Sequence, residues 1–192
     1  EVNEHDPHWQ EFVVTGENSV IRHWLRVGVM GYRLDVADEL PDDVLELIYS
    51  TARQTQPDAV ILGEVWEDAT TKYSYGNKRR YALGGRLDSV TNYPFRSEVI
   101  SFLTGRTDAE ELCDFLIEQA VKYPPPMYHC LTNLLSSHDV TRIRTALSTS
   151  IDPHSLTREQ QATFVISDSQ NRRGALRQRL AAALQFAVPG VP

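Results

Sequence analysis

The sequence predicts an α/β fold in which the strands of a parallel sheet alternate with helices. Short runs in which every second residue is apolar alternate with segments of helical periodicity. The run AVILGEVW at 59–66 is almost continuously apolar, as expected for a parallel strand covered on both faces. Acidic residues stand where three of the predicted strands end, namely Asp35, Glu64 and Asp139.

The first helices are predicted from their caps. Asp6 followed by Pro7 is typical of a helix start, and Gly16 is expected to break the helical segment that follows. A second helix is predicted within 40–57, where Pro41 opens the segment and apolar residues recur at helical spacing.

Between these helices, MGYRLDV at 30–36 changes to the alternation of a strand, with Leu34 and Val36 on one face and Arg33 and Asp35 on the other. A buried arginine and carboxylate cost several kcal/mol unless each neutralises the other. The pair therefore indicates a use beyond packing.

The remaining elements follow the same alternation. A capping box from Thr107 to Glu110 predicts a helix over 107–123. Further strands are predicted at 86–93, 128–139 and 186–192, and a further helix at 171–186. Such β/α units fit either a doubly wound sheet or a (β/α)8 TIM barrel. The sequence has no glycine-rich phosphate loop after a strand, which disfavours a dinucleotide-binding sheet and a dehydrogenase.

Composition excludes several classes of partner. The 192 residues are 41% hydrophobic and carry a net charge of −7, so we expect no nucleic-acid or membrane partner. No stretch approaches the ~20 apolar residues of a membrane span. The cluster Lys78–Arg80 is interpreted as a solvated loop, and Cys113 and Cys130 as buried thiols without a metal or redox motif.

The strand-end carboxylates suggest glycoside hydrolysis. In a barrel, strand ends open on the face that holds active sites, and two facing carboxylates can supply a nucleophile and a proton donor. Arg33 would keep Asp35 ionised, whereas the apolar neighbours of Glu64 would keep that group protonated. His138 and Asp139 could bind sugar hydroxyls and stabilise the transition state. Each motif alone is more often a salt bridge or a loop cap, but their order and placement favour a catalytic interpretation.

These motifs resemble those of the alpha-amylase family of retaining glycoside hydrolases, whose catalytic domain is a (β/α)8 barrel. GYRLDVADE is similar to the family's motif at the fourth strand, LGEVW to that at the fifth and SSHDVTR to that at the seventh. Chain 1–192 is then a partial catalytic barrel domain with strands four to eight. The family's first motif would precede residue 1, so we expect the complete protein to be the enzyme and this piece alone to be inactive.

The resemblance implies the role of each site residue. Asp35 is the nucleophile with Arg33 as its partner, Glu64 is the acid/base, Asp139 is the transition-state carboxylate, and His138 binds the sugar at the cleavage site.

The resemblance also suggests accessory sugar-binding residues. Trp66 is a candidate for stacking on a sugar, with packing under the sheet rim an equal alternative. Asn92 and Tyr93 are expected at the cleft floor.

The stretches VADE, DSVTNYPF and EVNEHDP are similar to the branch of neopullulanases, cyclomaltodextrinases and maltogenic amylases. This branch acts on alpha-1,4 and sometimes alpha-1,6 glucans, and it usually has Asn where this chain has Asp38. The substrate implied is an alpha-glucan or maltooligosaccharide, with hydrolysis and transglycosylation both open. No organic cofactor is implied, calcium and a homodimer are open for the full-length protein, and a cytoplasmic location is expected. The alternative is a non-catalytic amylase-like barrel that serves as a binding or assembly subunit.

Overall fold

The computed structural model describes residues 2–151 and 155–192. Its backbone divides into two units: the first runs to Thr91 and includes Lys122–Leu131, and the second comprises Asn92–Val121 and Thr132–Pro192. Each unit packs around its own hydrophobic core.

The helices and strands follow one another in the predicted alternation over the first half of the chain. In chain order they are α1 (Pro7–Gln10), a π-helical turn (Glu11–Thr15), α2 (Val20–Val27), β1 (Gly31–Leu34), a 3-10 turn (Ala37–Glu39), α3 (Asp42–Thr55), β2 (Val60–Gly63), β3 (Tyr73–Ser74), β4 (Asn77–Lys78), a 3-10 turn (Tyr81–Leu83), β5 (Ser89–Val90), α4 (Tyr93–Thr104), α5 (Ala109–Lys122), α6 (Pro125–Tyr128), α7 (Ile143–Ser148), α8 (Arg158–Thr163) and α9 (Asp168–Ala187).

A parallel sheet in the order β1-β2-β5 forms the framework of the first unit. Leu34, the last residue of β1, pairs with Gly63, the last residue of β2. A Cβ at Gly63 would lie 2.6 Å from Leu87 Cδ1, so the Leu87 side chain would have to move to accommodate it. The strands β3 and β4 form a separate antiparallel hairpin.

The predicted caps and core positions of the first unit are confirmed. The Asp6 carboxylate accepts hydrogen bonds from the N–H groups of His8 and Trp9, and Pro7 is the first helical residue. α3 buries the apolar stripe that includes Leu45 and Ile48 in the core of the first unit.

In the second unit, α4, α7 and α9 pack around a core that includes Phe95, Val99 and Leu147. The predicted strands at 128–139 and 186–192 reduce to one parallel bridge between Thr132 and Val191. The Leu134 N–H donates to the Thr132 carbonyl two residues earlier, a γ-turn that bends the backbone and prevents an extended ladder. Among the helices that the structure describes, none is long and apolar enough to cross a membrane.

Several local predictions about strands and caps are wrong. The third strand covers only Ser89–Val90 of the predicted 86–93. Val36 does not share a buried face with Leu34, because it lies beyond β1 and is 41% exposed. The cap of α5 is Asp108 rather than Thr107, since the Asp108 carboxylate accepts from the N–H groups of Glu110 and Glu111.

Two predictions about burial are also wrong. Cys113 and Cys130 are exposed. Arg79 does not lie in a solvated loop, since it is buried and its Nε lies 2.8 Å from Asp42 Oδ1.

Candidate active site

The carboxyl ends of β1 and β2 place two of the predicted catalytic carboxylates side by side. Asp35 follows Leu34 and Glu64 follows Gly63, and these strand-end residues are partners in the parallel register. Neighbouring strands of a sheet lie about 4.8 Å apart. The sheet therefore brings the backbones of Asp35 and Glu64 together at one edge.

A single guanidinium contacts both carboxylates. Arg33 Nη1 pairs with Asp35 Oδ1, and Arg33 Nη2 lies 3.0 Å from Glu64 Oε1. The structure thus brings Arg33, Asp35 and Glu64 together, as the sequence predicts. The guanidinium opposes the charge repulsion that two neighbouring carboxylates would otherwise feel.

The expectation of a buried Arg33–Asp35 pair is wrong, because the Asp35 side chain is 74% exposed. The buried member of the site is Glu64, whose side chain is 3% exposed. The reason is the length of β1: the strand ends at Leu34, so Asp35 lies at the sheet edge rather than inside it.

The turn after β1 supplies a hydrogen-bond donor that sequence patterns did not identify. The Val36 N–H donates to Glu64 Oε2 at 2.9 Å. Val36 adopts the left-handed region at φ +43°, which costs a residue with a Cβ roughly 1–2 kcal/mol. The Ala37 N–H also donates to the Glu64 carbonyl, at 3.1 Å. This strained turn therefore fastens the Asp35 loop to Glu64 through both side chain and backbone.

Next to this pair, Trp66 is 40% exposed while Val65 is fully buried. The Val65 N–H donates to Thr91 Oγ1 at 3.1 Å, which fixes the backbone beyond Glu64. The indole thus has a face available to solvent, and its stacking on a sugar stays a prediction.

Asp38 is a buried carboxylate beneath the same loop. It accepts a hydrogen bond from Tyr81 Oη at 2.8 Å and lies 3.3 Å from Lys72 Nζ. Burial and the Asp38 carboxylate raise the pKa of Tyr81. Burial lowers the pKa of Lys72, but the carboxylates of Glu67 and Asp38 outweigh that effect and raise it. Lys72 Nζ and Tyr81 Oη therefore give the buried Asp38 side chain a cation and a hydrogen-bond donor.

The second unit contains the other predicted motif. His138 Nε2 lies 3.2 Å from Asp139 Oδ2, with side chains 79% and 37% exposed. The Asp139 N–H donates to Ser137 Oγ at 3.2 Å, and the same hydroxyl lies 3.1 Å from Tyr93 Oη. Three predicted residues, Tyr93, His138 and Asp139, are therefore joined through Ser137, which the motif contained but sequence reasoning did not single out.

Asn92 lies in a buried network of amides within the second unit and is 2% exposed. Its Nδ2 donates to Gln119 Oε1 and Asn133 Oδ1, and its Oδ1 accepts from the Phe95 N–H at the start of α4. These bonds engage both ends of the amide. A role for Asn92 in binding sugar stays a prediction.

In the part of the chain that the structure describes, no group of three His, Cys, Asp or Glu side chains is arranged to hold a metal ion. The calcium, dimer and cytoplasmic expectations stay predictions.

Comparison with known proteins shows which family this chain, with its paired strand-end carboxylates, belongs to. The model of the alpha-amylase catalytic domain matches residues 4–171. The chain therefore belongs to the alpha-amylase family, as its motifs predicted, and its fold is a partial TIM barrel.

Similar relatives include an amylopullulanase of Thermoanaerobacter thermohydrosulfuricus, 30% identical over 96% of this chain and 12% of that protein. Neopullulanase 2 of Thermoactinomyces vulgaris is 37% identical over 66% of this chain and 20% of its own length. A cyclomaltodextrinase structure superposes with a TM-score of 0.73 at 29% identity, over 100% of this chain and 27% of that one. The chain thus spans about an eighth to a quarter of these relatives.

Proposed function

We propose that the full-length protein is a retaining alpha-glucan hydrolase, and that this chain supplies strands four to eight of its catalytic barrel. The observation that carries the proposal is the Arg33 guanidinium shared by Asp35 and Glu64 at adjacent strand ends. Because both carboxylates contact one guanidinium, they lie close to each other. A double displacement that retains configuration requires this proximity.

The two carboxylates differ in a way that suits two roles. The exposed Asp35 would attack the anomeric carbon and form a covalent glycosyl-enzyme. The buried Glu64 would donate a proton to the leaving oxygen and then accept one from the incoming water or sugar hydroxyl. Arg33 holds both groups in place, and the Val36 N–H orients Glu64.

Asp139 and His138 would act on the sugar in the cleaved subsite, the carboxylate stabilising positive charge in the transition state. The similar proteins named amylopullulanase, neopullulanase and cyclomaltodextrinase support alpha-glucans as substrates. We infer cleavage of alpha-1,4 bonds, with alpha-1,6 cleavage and transglycosylation to be resolved by assay.

The test measures reducing-sugar release from starch, pullulan and cyclodextrin by the full-length protein. Asp35→Asn and Glu64→Gln are each expected to lower kcat by about 100- to 10,000-fold, the usual worth of a proton-transfer or nucleophilic group. Asp114→Asn and Glu110→Gln, exposed residues of α5, are matched controls expected to keep wild-type turnover. Proton NMR of the first product gives the anomeric configuration.

The proposal is wrong if Asp35→Asn and Glu64→Gln both keep wild-type turnover. An inverted product would refute the retaining mechanism alone. Binding of glucan without release of sugar would instead favour the non-catalytic alternative.

A further inference from the structure

A cavity of about 950 Å³ lies in the first unit, bordered by the β3–β4 hairpin and by the turn that contains Glu39. This volume is at the upper end of the range of roughly 300–1,000 Å³ typical of small-molecule sites. Its walls carry charges of both signs, including Glu39, Lys78 and Arg80, together with the exposed Tyr75. The predicted catalytic residues are not among its lining residues.

The turn of the β3–β4 hairpin holds Tyr75 in an unfavourable backbone conformation. Tyr75 and Gly76 have φ values of +51° and +77° and connect the paired residues Ser74 and Asn77. A two-residue turn with both φ values positive is the type I′ turn, in which Asn-Gly is preferred. A tyrosine at the first position costs roughly 1–2 kcal/mol in this backbone conformation.

Burial does not offset this cost, since Tyr75 is 73% exposed. The ring therefore stands at the cavity rim in a conformation that asparagine would adopt more easily. Backbone strain of this kind is found most often at functional sites.

Hydrogen bonds fix the hairpin to the loop that carries the nucleophile. Tyr75 Oη donates to Glu39 Oε2, and Ser74 Oγ donates to the Asp38 carbonyl at 3.4 Å. Glu39 lies only four residues beyond Asp35. Four residues span at most about 14 Å, so the cavity begins within that distance of the nucleophile backbone.

We propose that this cavity is a binding subsite for glucose units of an alpha-glucan chain remote from the bond that is cleaved, with the Tyr75 ring as its stacking platform. The inference rests on the proposed function and adds a site to it. An aromatic face packs on the apolar C–H face of a pyranose, and carboxylates and guanidinium groups hydrogen-bond sugar hydroxyls. The mixed charge of the walls suits a neutral polyhydroxylated ligand better than an anion or a cation.

The test measures maltoheptaose and maltose binding by titration calorimetry, using the full-length protein in a Glu64→Gln background that slows turnover. Tyr75→Asn removes the ring and suits the turn. It is expected to weaken maltoheptaose binding about five- to tenfold, the worth of one aromatic stacking contact, and maltose binding less than about twofold. The relieved turn strain and the lost hydrogen bond to Glu39 are of similar size, so the variant should unfold at about the same temperature as its parent.

Tyr73→Asn is the matched control, because Tyr73 is on the same hairpin and 67% exposed but does not line the cavity. It should leave maltoheptaose binding unchanged. Tyr75→Phe keeps the ring and should retain most of the affinity.

The subsite is refuted if Tyr75→Asn binds maltoheptaose as tightly as its parent, or if Tyr73→Asn causes the same loss. It is also refuted if the parent binds no maltoheptaose. The proposed function can fail separately. If the protein with Glu64 intact releases no sugar but Tyr75→Asn still weakens maltoheptaose binding, the hydrolase is refuted and the subsite stands.

Discussion

Glu64 in the first unit and Asp139 in the second both end a predicted strand, yet their side chains are 3% and 37% exposed. Glu64 is held from outside its own segment, by the Val36 N–H and by the Arg33 guanidinium. Asp139 is held from within its own loop, by the neighbouring His138 and by Ser137.

The difference follows from the backbone that supports each carboxylate. In the first unit, the parallel register of β1 and β2 fixes where Asp35, Arg33 and Glu64 stand relative to one another. In the second unit, the segment before Asp139 makes one β-bridge, at Thr132, and a γ-turn at Leu134. A motif therefore predicts geometry reliably when a sheet carries it, and predicts mainly local contacts when it lies on irregular backbone.

Of the variants that compare the two units, a change at Arg33 should have the largest effect. Arg33→Met in the full-length protein removes the cation shared by Asp35 and Glu64 and leaves the buried Glu64 with the Val36 N–H. We expect kcat on starch to fall about 100-fold, as for other displacements of catalytic groups.

His138→Ala is the matching change in the second unit, because it removes the imidazole that contacts Asp139, and it should lower kcat about tenfold, the worth of one hydrogen bond. Steady-state kinetics of both variants test the comparison. An equal loss in the two would show that sheet register does not decide how strongly a carboxylate depends on its partner.

The sequence predicted the parts of the fold that depend on local signals. Asp6 caps α1, α3 buries its apolar stripe, and Asp35 and Glu64 end neighbouring parallel strands. The left-handed turn at Val36 could not be predicted, because nothing in a β-branched residue signals a positive φ. This turn supplies the N–H groups of Val36 and Ala37 that bind Glu64.

The strand lengths were over-predicted for a related reason. Apolar alternation at 86–93 and 128–139 is compatible with strands, but a ladder also needs a partner backbone at the right distance. Thr132 forms an isolated bridge with Val191 rather than a ladder, and Asn92 begins a helix by capping α4. Tertiary contacts therefore determined the backbone conformation of these segments.

A smaller effect tests the amide network that stabilises the second unit. Asn133 is 2% exposed, and its side chain accepts from Asn92 Nδ2 and donates to the Pro189 carbonyl, each at 2.9 Å. Asn133→Ala removes both bonds and takes one acceptor from the buried Asn92 amide, so it should lower the free energy of unfolding by about 1–3 kcal/mol.

The control is Asn171→Ala, an exposed position of α9, which should change the free energy of unfolding by less than about 0.5 kcal/mol. Urea unfolding of the full-length protein measures both variants. Equal stability of the two would contradict a structural role for the network.

The smallest expected effect concerns an ion pair in the first unit and its dependence on pH. Burial raises the pKa of Asp68, but hydrogen bonds from Thr70 and the Lys122 ammonium outweigh it, so the pKa lies below the ordinary value. A carboxyl whose pKa is lower in the folded state stabilises the fold above its unfolded pKa of about 3.9 and loses this contribution as the pH falls further.

Asp68→Asn should therefore be less stable than wild type at neutral pH by under about 1 kcal/mol, since the pair is partly exposed. The difference should shrink as the pH falls from about 4 toward the lowered pKa. Urea unfolding across this range checks the sign, and a difference that grows in acid would show that the Lys122 and Thr70 contacts do not hold Asp68 ionised.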